Sequence, residues 1–279
     1  MEDDGKVSRV TSSATTFAHQ RPVSFGFALL IVVLYVFLLA PLVAIVGSSF
    51  TQSLLIEFPP KGLTLHWYEE FFGRHDLVTG LIMSLRIGMI TAVATTVIAM
   101  MAGLAGRTLG GRLSGWFQIG MALPLLVPEL LTAVGLLFFL YKIDLGKTVI
   151  GLQMGHILMS FPYAYVSISA ALRQVPSSLE EASASMGATG WQTFRLVILP
   201  LVMPGVAMGA IFAFINSFDL YTISLLLKPL GGNTLPLALF DFLTYEFKPT
   251  AAAAATISIV LSLIGVALVQ KLVGLQRAF

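Results

Sequence analysis

The chain has no cysteine, few charged residues and no run of basic residues. The lack of cysteine excludes disulfides, zinc–thiolate sites and thiol redox motifs. Only 11% of the residues are Asp, Glu, Lys or Arg, whereas soluble domains carry roughly 25%. The four histidines show no i, i+4 pair of the kind that binds a metal on a helix. A formal charge of +2 without a Lys/Arg cluster gives no reason to expect nucleic acid as a partner.

Long apolar segments are what the chain has in abundance, since 57% of its residues are hydrophobic. Stretches long enough to cross a bilayer as helices lie at about 25–47, 80–105, 116–140, 149–172, 201–227 and 250–272. We therefore predict an all-α membrane protein with six transmembrane helices. An even number of spans places both termini on one side of the membrane, and a weak Lys/Arg bias favours the cytoplasmic side.

The N-terminal residues are polar and include the acids Glu2, Asp3 and Asp4. A secretory signal would begin with positive charge and have a shorter apolar core. We predict a cytoplasmic N-terminal tail at 1–24, an uncleaved signal anchor as the first span, and one transmembrane domain at 25–279. After the first span, the loop at 48–79 contains Trp67, Tyr68, Phe71 and Phe72, a cluster typical of a short helix at the lipid headgroup level.

Acids inside the spans are the best leads to a functional site. A charge at the centre of a spanning helix costs roughly 2.5–3.5 kcal/mol, so it usually faces a cavity or a partner. Glu129 follows a proline in the third span, and Asp219 lies in the fifth span next to Phe218 and Tyr221. A carboxylate between aromatic rings suits a cationic ammonium group. The alternative for both acids is a buried ion pair or hydrogen bond that fixes helix packing.

Other intramembrane features favour packing. We interpret His156 in the fourth span as a neutral, hydrogen-bonding packing residue. Gly205 and Gly209 form a G-x-x-x-G pattern, which permits close helix approach and offers a contact face for a second membrane subunit. The same pattern also arises by chance in a glycine-rich membrane chain.

Enzymatic chemistry finds no support in the sequence. Gly146, Lys147 and Thr148 look like the end of a P-loop, but Tyr141 stands where that motif needs a glycine. No Ser/His/Asp arrangement, metal-ligand cluster or cofactor motif is present. We predict neither a cofactor nor a bound metal.

The polar segment at about 180–200, EEASASMGATGWQTFRLVILP, interrupts the apolar pattern. Glu180 and Glu181 suit the first turn of a helix, where acids complement exposed amide groups. Gly187 can take the left-handed conformation that ends a short helix, and Pro200 suits the first turn of the next helix. The segment therefore predicts a short helix, a turn and a second helix that leads into the fifth span.

The same segment resembles the EAA loop of ABC importer permeases, whose form is E-A-A-x3-G-x9-I-x-L-P. Glu181, Ala182 and Gly187 match this pattern, as do Leu199 and Pro200. Two positions differ, with Ser183 in place of the second alanine and Val197 in place of the isoleucine.

The resemblance implies a type I ABC importer permease with a cytoplasmic coupling helix between helices 4 and 5, in a bacterial inner membrane. Such a subunit has no catalytic activity of its own. It works with two ATP-binding-cassette ATPases, a second, paralogous permease and a periplasmic or extracellular substrate-binding protein. Its spans also contact membrane lipid. The residues that would contact the ATPase are Glu180, Glu181, Ala182, Gly187, Ala188 and Trp191.

The stretch around Asp219 is similar to permeases for spermidine and putrescine, but Leu220 stands where a second acid is common. The resemblance implies a polyamine or another small amine as substrate, along a pathway that contains Asp219, Phe218, Tyr221 and Glu129. An amino-acid derivative or an aminophosphonate is the alternative. An ion-driven secondary transporter would need inverted repeats and interrupted helices, and the sequence indicates neither.

Overall fold

The structure is a computed structural model that describes residues 25–276, so the predicted tail at 1–24 lies outside the described residues. Within 25–276 the regular structure is helical, without strands. The helices are α1 (Phe25–Ser48), α2 (His66–Gly73), α3 (His75–Thr108), α4 (Gly111–Ala122), α5 (Glu129–Lys142), α6 (Val149–Arg173), α7 (Ser177–Ser185), α8 (Gly190–Thr193), α9 (Leu199–Phe218), α10 (Tyr221–Leu227), α11 (Leu235–Tyr245) and α12 (Thr250–Gln276).

The described chain divides into two compact units, with the boundary between Val43 and Ala44. The described part of the first unit is the N-terminal portion of α1, an apolar helix that contains Pro41. The second unit holds the rest of α1 and all the other helices.

Four segments of the described chain are long and apolar enough to cross a membrane: Gly26–Ser48, His75–Thr108, Gly190–Phe218 and Thr250–Leu268. A fifth results if the bent pair α4 and α5 counts as one span. Helix α6 is as long as the others, but polar side chains such as Gln153 and His156 lower its hydropathy. The predicted count of six spans therefore stays a prediction.

The third predicted span, 116–140, is not one continuous helix. Helix α4 ends at Ala122, a 3-10 turn follows at Leu123–Leu125, and α5 begins at Glu129 with its axis bent by 92°. Pro124 and Pro128 explain the break, because proline has no amide hydrogen to donate and clashes with the preceding turn of a helix. The expectation of an uninterrupted third span was wrong.

The fifth predicted span, 201–227, also differs from the structure. Its helix starts earlier, at Gly190, and ends at Phe218. The chain then leaves the helical path at Asp219 and Leu220 before α10 begins. Neither of these residues is a glycine or a proline, so the local sequence carries no signal for this second break.

Helices α3, α6 and α9 form the packed centre of the second unit, around buried side chains such as Ala99, Ile168 and Val202. Gly205 and Gly209 permit the close approach of α9 to α6. A Cβ atom at Gly209 would lie 3.1 Å from the Ala164 carbonyl oxygen, and one at Gly205 would collide with the Ala171 side chain. The G-x-x-x-G face is thus occupied within this chain, and the expectation that it offers a contact to a second subunit was wrong.

Helix α2 turns its aromatic side chains into the protein. Trp67 is buried, and its indole Nε1 donates a hydrogen bond to the Thr51 carbonyl at 2.6 Å. Phe71 is buried, and the Tyr68 hydroxyl lies 2.7 Å from the Ser49 hydroxyl. Of the four aromatic residues predicted to face the headgroups, only Phe72 is exposed. The predicted helix is confirmed. Its tryptophan, however, is buried and hydrogen-bonded within the protein and does not face lipid.

An ion-pair network joins the corner between α2 and α3 to the segment between α11 and α12. Arg74 pairs with Glu246 at 2.5 Å and with Asp76 at 3.3 Å, and its guanidinium lies over the Phe242 ring. Lys248 lies 3.1 Å from Glu246. Hydrogen bonds from Arg74 and then Lys248 hold the pKa of Glu246 below its ordinary value. The network therefore links the α2–α3 loop to the α11–α12 loop, which are far apart in sequence.

Candidate functional site

Two features carry function-bearing residues: a helical hairpin formed by α7 and α8 (residues 177–193, the α7–α8 hairpin) and a pocket between the two helix breaks. In the hairpin, α7 ends in a Schellman motif. The Gly187 amide donates to the Ala184 carbonyl at 2.9 Å, and the Ala188 amide donates to the Ser183 carbonyl at 3.1 Å. Gly187 has a φ of +80°, a left-handed conformation that side chains with a Cβ disfavour.

Helix α8 starts at a capping box. The Thr189 hydroxyl accepts a hydrogen bond from the Gln192 amide at 3.3 Å, and the Gln192 side chain accepts one from the Thr189 amide at 2.7 Å. This reciprocal pair satisfies donors that a helix N-terminus otherwise leaves open. A π-helical turn at Phe194–Ile198 then leads into α9, where Pro200 lies in the first turn.

The inner face of the hairpin is fixed by polar contacts. The hydroxyl of Ser183 is hydrogen-bonded to that of Thr193, and both residues are buried. Arg107, at the end of α3, lies 2.6 Å from the Glu180 carboxylate and donates a hydrogen bond to the Val175 carbonyl. Glu180 therefore makes an ion pair within this chain, and its contact with an ATPase stays a prediction. Ser183, the departure from the E-A-A pattern, closes α7 onto α8.

The outer face of the hairpin is exposed. Glu181, Ala182 and Gly187 are exposed, and Ala188 is half-buried. Trp191 is 67% exposed, and its ring packs on Phe194 with the centroids 5.5 Å apart. An exposed tryptophan on a short, capped helix is typical of a surface that contacts another protein. Glu181, Ala182, Gly187 and Trp191 are thus accessible, and their contact with an ATPase stays a prediction.

The second feature is a pocket of about 330 Å³ at the two helix breaks. Small-molecule sites range over roughly 300–1,000 Å³, so this volume suits a small solute. The lining comes from the α4–α5 break, from α6 and from the end of α9. The lining residues are Pro124, Leu125, Leu126, Val127, Pro128, Glu129, Met159, Tyr163, Asn216 and Leu220.

Glu129 is the only ionisable carboxylate among these lining residues. It is the first residue of α5, placed there by the break at Pro128. Its Oε1 atom is buried and has no hydrogen-bond partner within the described part of the chain. A buried, unpartnered carboxylate oxygen is costly, so a donor from a ligand or from water is the expected complement.

Two neutral polar residues, Asn216 and Tyr163, line the same pocket as Glu129. The Asn216 amide donates to the Ser160 hydroxyl at 3.1 Å, which orients this side chain on α9 against α6. Tyr163, also on α6, brings a phenol hydroxyl to the lining. The carboxylate suits one ammonium group of a ligand, and the amide and phenol oxygens can accept hydrogen bonds from further N–H donors.

The residues predicted around Asp219 are not arranged as we expected. Asp219 directly follows the last residue of α9 and is exposed. Phe218 is buried, stacks on Phe214 and packs in a hydrophobic cluster. Tyr221 packs against Phe240 with the ring centroids 5.3 Å apart. Each ring has a packing partner elsewhere, so the structure does not form the aromatic box around Asp219.

Sequence reasoning missed Asn216 and Tyr163. Tyr163 follows Pro162, and Asn216 lies three residues before Asp219, so both were visible as polar residues inside apolar stretches. Their association with Glu129 depends on which helices pack together, and the sequence pattern does not contain that information. Among residues 25–276, no group of three or more His, Asp or Glu side chains could hold a metal ion.

Comparison with known proteins decides the family. Residues 94–275 match the family described as "Binding-protein-dependent transport system inner membrane component". The chain belongs to this family of ABC importer permeases. The match covers both helix breaks, the α7–α8 hairpin and most of α12.

Relatives within the family include transport proteins for polyamines. The chain is 30% identical over 242 residues to the spermidine/putrescine transport system permease protein PotC of Haemophilus influenzae, covering 85% of this chain and 92% of that protein. It is 28% identical over 233 residues to the putrescine transport system permease protein PotI of Escherichia coli K12, covering 80% and 82%.

Solved structures of ABC importers share the fold. A bacterial ABC transporter involved in import of the acidic polysaccharide alginate matches with a TM-score of 0.71 at 14% identity, over 91% of this chain and 95% of that chain. The MetNI methionine transporter in an inward-facing conformation matches with a TM-score of 0.58 at 21% identity, over 73% and 95%. These likenesses confirm the predicted all-α permease fold. The interrupted helices, a feature expected of secondary transporters, thus occur in an ABC permease.

Proposed function

We propose that this permease forms half of a translocation pathway for a small organic cation of the polyamine type, in an importer driven by ATP hydrolysis in separate subunits. The observation that carries the proposal is the Glu129 carboxylate, which lines the pocket at the two helix breaks. One of its oxygens is buried and has no hydrogen-bond partner among residues 25–276. An ammonium group supplies the missing hydrogen bond as a charge-assisted one. The names of the PotC and PotI relatives support the same substrate class.

The pocket also provides a reason for the breaks. Within a membrane, backbone that leaves the helical path is tolerated where it borders protein or a water-filled cavity. Residues of the first break line the pocket, as does Leu220 of the second. The breaks thus place backbone polar groups near the ligand, in addition to Glu129 and Asn216.

For the complete importer we propose two ATPase subunits, a paralogous second permease and a substrate-binding protein outside the membrane, with both termini in the cytoplasm. The exposed face of the α7–α8 hairpin, with Glu181 and Trp191, is the proposed ATPase contact. Its rigid inner face supports this role, because a contact that transmits motion has to be stiff. The docking of this hairpin is the proposed coupling step between ATP binding and access to the pocket.

The test is uptake of labelled putrescine and spermidine by the assembled importer with Glu129→Gln. We expect uptake to fall at least tenfold, because the amide keeps the shape and removes the charge. Glu69→Gln is the matched control, since Glu69 is exposed on α2 and outside the pocket. Asp219→Asn in the same assay decides whether the exposed acid at the second break also contributes.

The controls separate function from assembly. ATPase activity in the absence of the binding protein should be unchanged in the Glu129→Gln complex. If the unmutated importer takes up neither putrescine nor spermidine above background, the proposed substrate class is refuted. Normal uptake by Glu129→Gln at wild-type protein levels would remove this carboxylate from the pathway.

A further inference from the structure

The break between α9 and α10 is held by a buried histidine on a third helix. His156 lies on α6 and is 1% exposed. Its Nδ1 lies 2.8 Å from the Ser217 hydroxyl, in the last turn of α9, and its Nε2 lies 3.2 Å from the Ser224 hydroxyl, in the first turns of α10. One imidazole therefore bridges the two helices on either side of Asp219 and Leu220.

The hydrogen bonds have a defined direction. The Ser224 hydroxyl donates to the Leu220 carbonyl at 2.6 Å, so its hydrogen is already used. His156 Nε2 must then carry a hydrogen and donate to Ser224. In the neutral ring Nδ1 is the acceptor, and Ser217 donates to it. The chain of donors runs from Ser217 through His156 and Ser224 to the Leu220 carbonyl, which lies at the break.

The backbone of α6 reinforces this arrangement next to the histidine. A Cβ atom at Gly155 would lie 2.7 Å from the Leu227 side chain and 2.8 Å from the Ile223 side chain. The absence of a side chain at Gly155 lets α10 lie directly against α6. Ser217 and Ser224 are both buried, so water does not compete for the hydrogen bonds of His156.

We propose that His156 is a positioning residue that fixes the geometry of the α9–α10 break. Asn216 is adjacent to Ser217 and lines the pocket, as does Leu220, whose carbonyl ends the hydrogen-bond chain. The histidine thereby sets where the α9 side of the pocket lies relative to Glu129. This inference rests on the proposed role of the pocket, but it makes a claim about geometry that can be measured separately.

The lack of cysteine makes a direct measurement practical. Phe212 on α9 and Leu225 on α10 are exposed, so Phe212→Cys with Leu225→Cys gives the only two thiols of the chain. Spin labels there report the distance across the break in the full importer, with the other subunits free of reactive cysteine. We expect one narrow distance distribution in the parent protein and a broadened or shifted one after His156→Phe.

The matched control is Gln153→Leu, one turn earlier on α6. The Gln153 amide donates to the Thr91 hydroxyl at 2.7 Å and to the Ile87 carbonyl at 3.4 Å, so its side-chain hydrogen bonds within the described chain go to α3 and not to α9 or α10. This change also removes a partly buried polar contact of α6, but one that does not involve the break. The distribution of distances between the two labels should therefore stay narrow. His156→Gln keeps a donor and an acceptor on one side chain, and we expect it to restore part of the parent distribution.

Putrescine uptake provides the functional readout. We expect His156→Phe to lower the maximal uptake rate about tenfold, the factor that corresponds to 1.4 kcal/mol, with little change in the half-saturating concentration. If His156→Phe fails to assemble, Ser217→Ala and Ser224→Ala each remove one end of the bridge and should each broaden the distance. Unchanged distances in all these variants, or an equal change in Gln153→Leu, would overturn the proposal. A parent protein that takes up no polyamine refutes the proposed function, while the distances still decide the role of His156.

Discussion

Replacing Gly187 with valine should uncouple ATP hydrolysis from uptake while the protein still inserts and assembles. Gly187 connects α7 to α8 with a φ of +80°. A Cβ atom added there meets no other atom within 4 Å. Within the described chain an added Cβ therefore meets no steric conflict, and the expected effect within this subunit comes from the backbone conformation.

The magnitude follows from the cost of the left-handed conformation. An ordinary L-residue loses roughly 1–2 kcal/mol there, and a β-branched residue loses more. A difference of one or two kcal/mol changes a population about 5- to 30-fold. Asparagine tolerates this conformation better than alanine does. Coupled uptake should therefore decrease in the order Gly, Asn, Ala, Val.

The assay compares uptake per ATP hydrolysed for Gly187→Asn, Gly187→Ala and Gly187→Val. Gly190→Ala is the matched control, since Gly190 is exposed and also has no atom within 4 Å of an added Cβ, but lacks a positive φ. Alanine is the better helix former by about 1 kcal/mol, so this control should be as active as the parent. Full coupling in Gly187→Val, or equal loss in Gly190→Ala, would refute the reasoning.

Three further outcomes are expected. Arg107→Gln should free the Glu180 carboxylate and weaken the inner face of the hairpin, which increased proteolysis or hydrogen exchange of α7 would detect. Trp191→Ala removes an exposed ring and should lower the affinity for the ATPase several-fold without lowering the stability of the permease, as measured by co-purification and thermal unfolding. The pKa of Glu246 is lowered in the folded protein, mainly by the hydrogen bond from Arg74. The ion pair therefore stabilises the fold above about pH 4.3, the ordinary pKa of glutamate. This contribution is lost as the pH falls through the lowered pKa of the folded state. Thermal unfolding should thus be more acid-sensitive in the parent than in Glu246→Gln.

Element positions could be predicted where apolar length alone decides them. The first predicted span, 25–47, corresponds to Phe25–Ser48, and the fourth, 149–172, corresponds to Val149–Arg173. The first is an uninterrupted apolar stretch, which hydropathy detects. The fourth contains Gln153 and His156, but polar residues at both of its ends still mark its bounds. The turn at Gly187 was also predictable, since a glycine after a short helix has few other roles.

The breaks could not be predicted in the same way. Averaging over a window of about 19 residues hides a turn of a few residues inside an apolar stretch. At the first break, Pro124 and Pro128 were a usable signal, whereas Asp219 and Leu220 offered none. The second break depends on hydrogen bonds from His156 on another helix, and such a contact has no local signature in the sequence.

The close approach of α9 to α6 at Gly205 and Gly209 has a mechanical consequence. The α7–α8 hairpin joins the end of α6 to the start of α9, and these two helices are locked side by side by backbone contact. A force on the hairpin does not readily separate α6 from α9. It would instead tilt the two helices together, as one lever. With 25 residues in α6 at 1.5 Å each, the lever is about 37 Å long, and a tilt of about 10° moves its far end by about 6 Å. A displacement of that size is about as long as a turn of helix. If the α7–α8 hairpin docks on an ATPase as proposed, this tilt is the motion that would change access to the pocket.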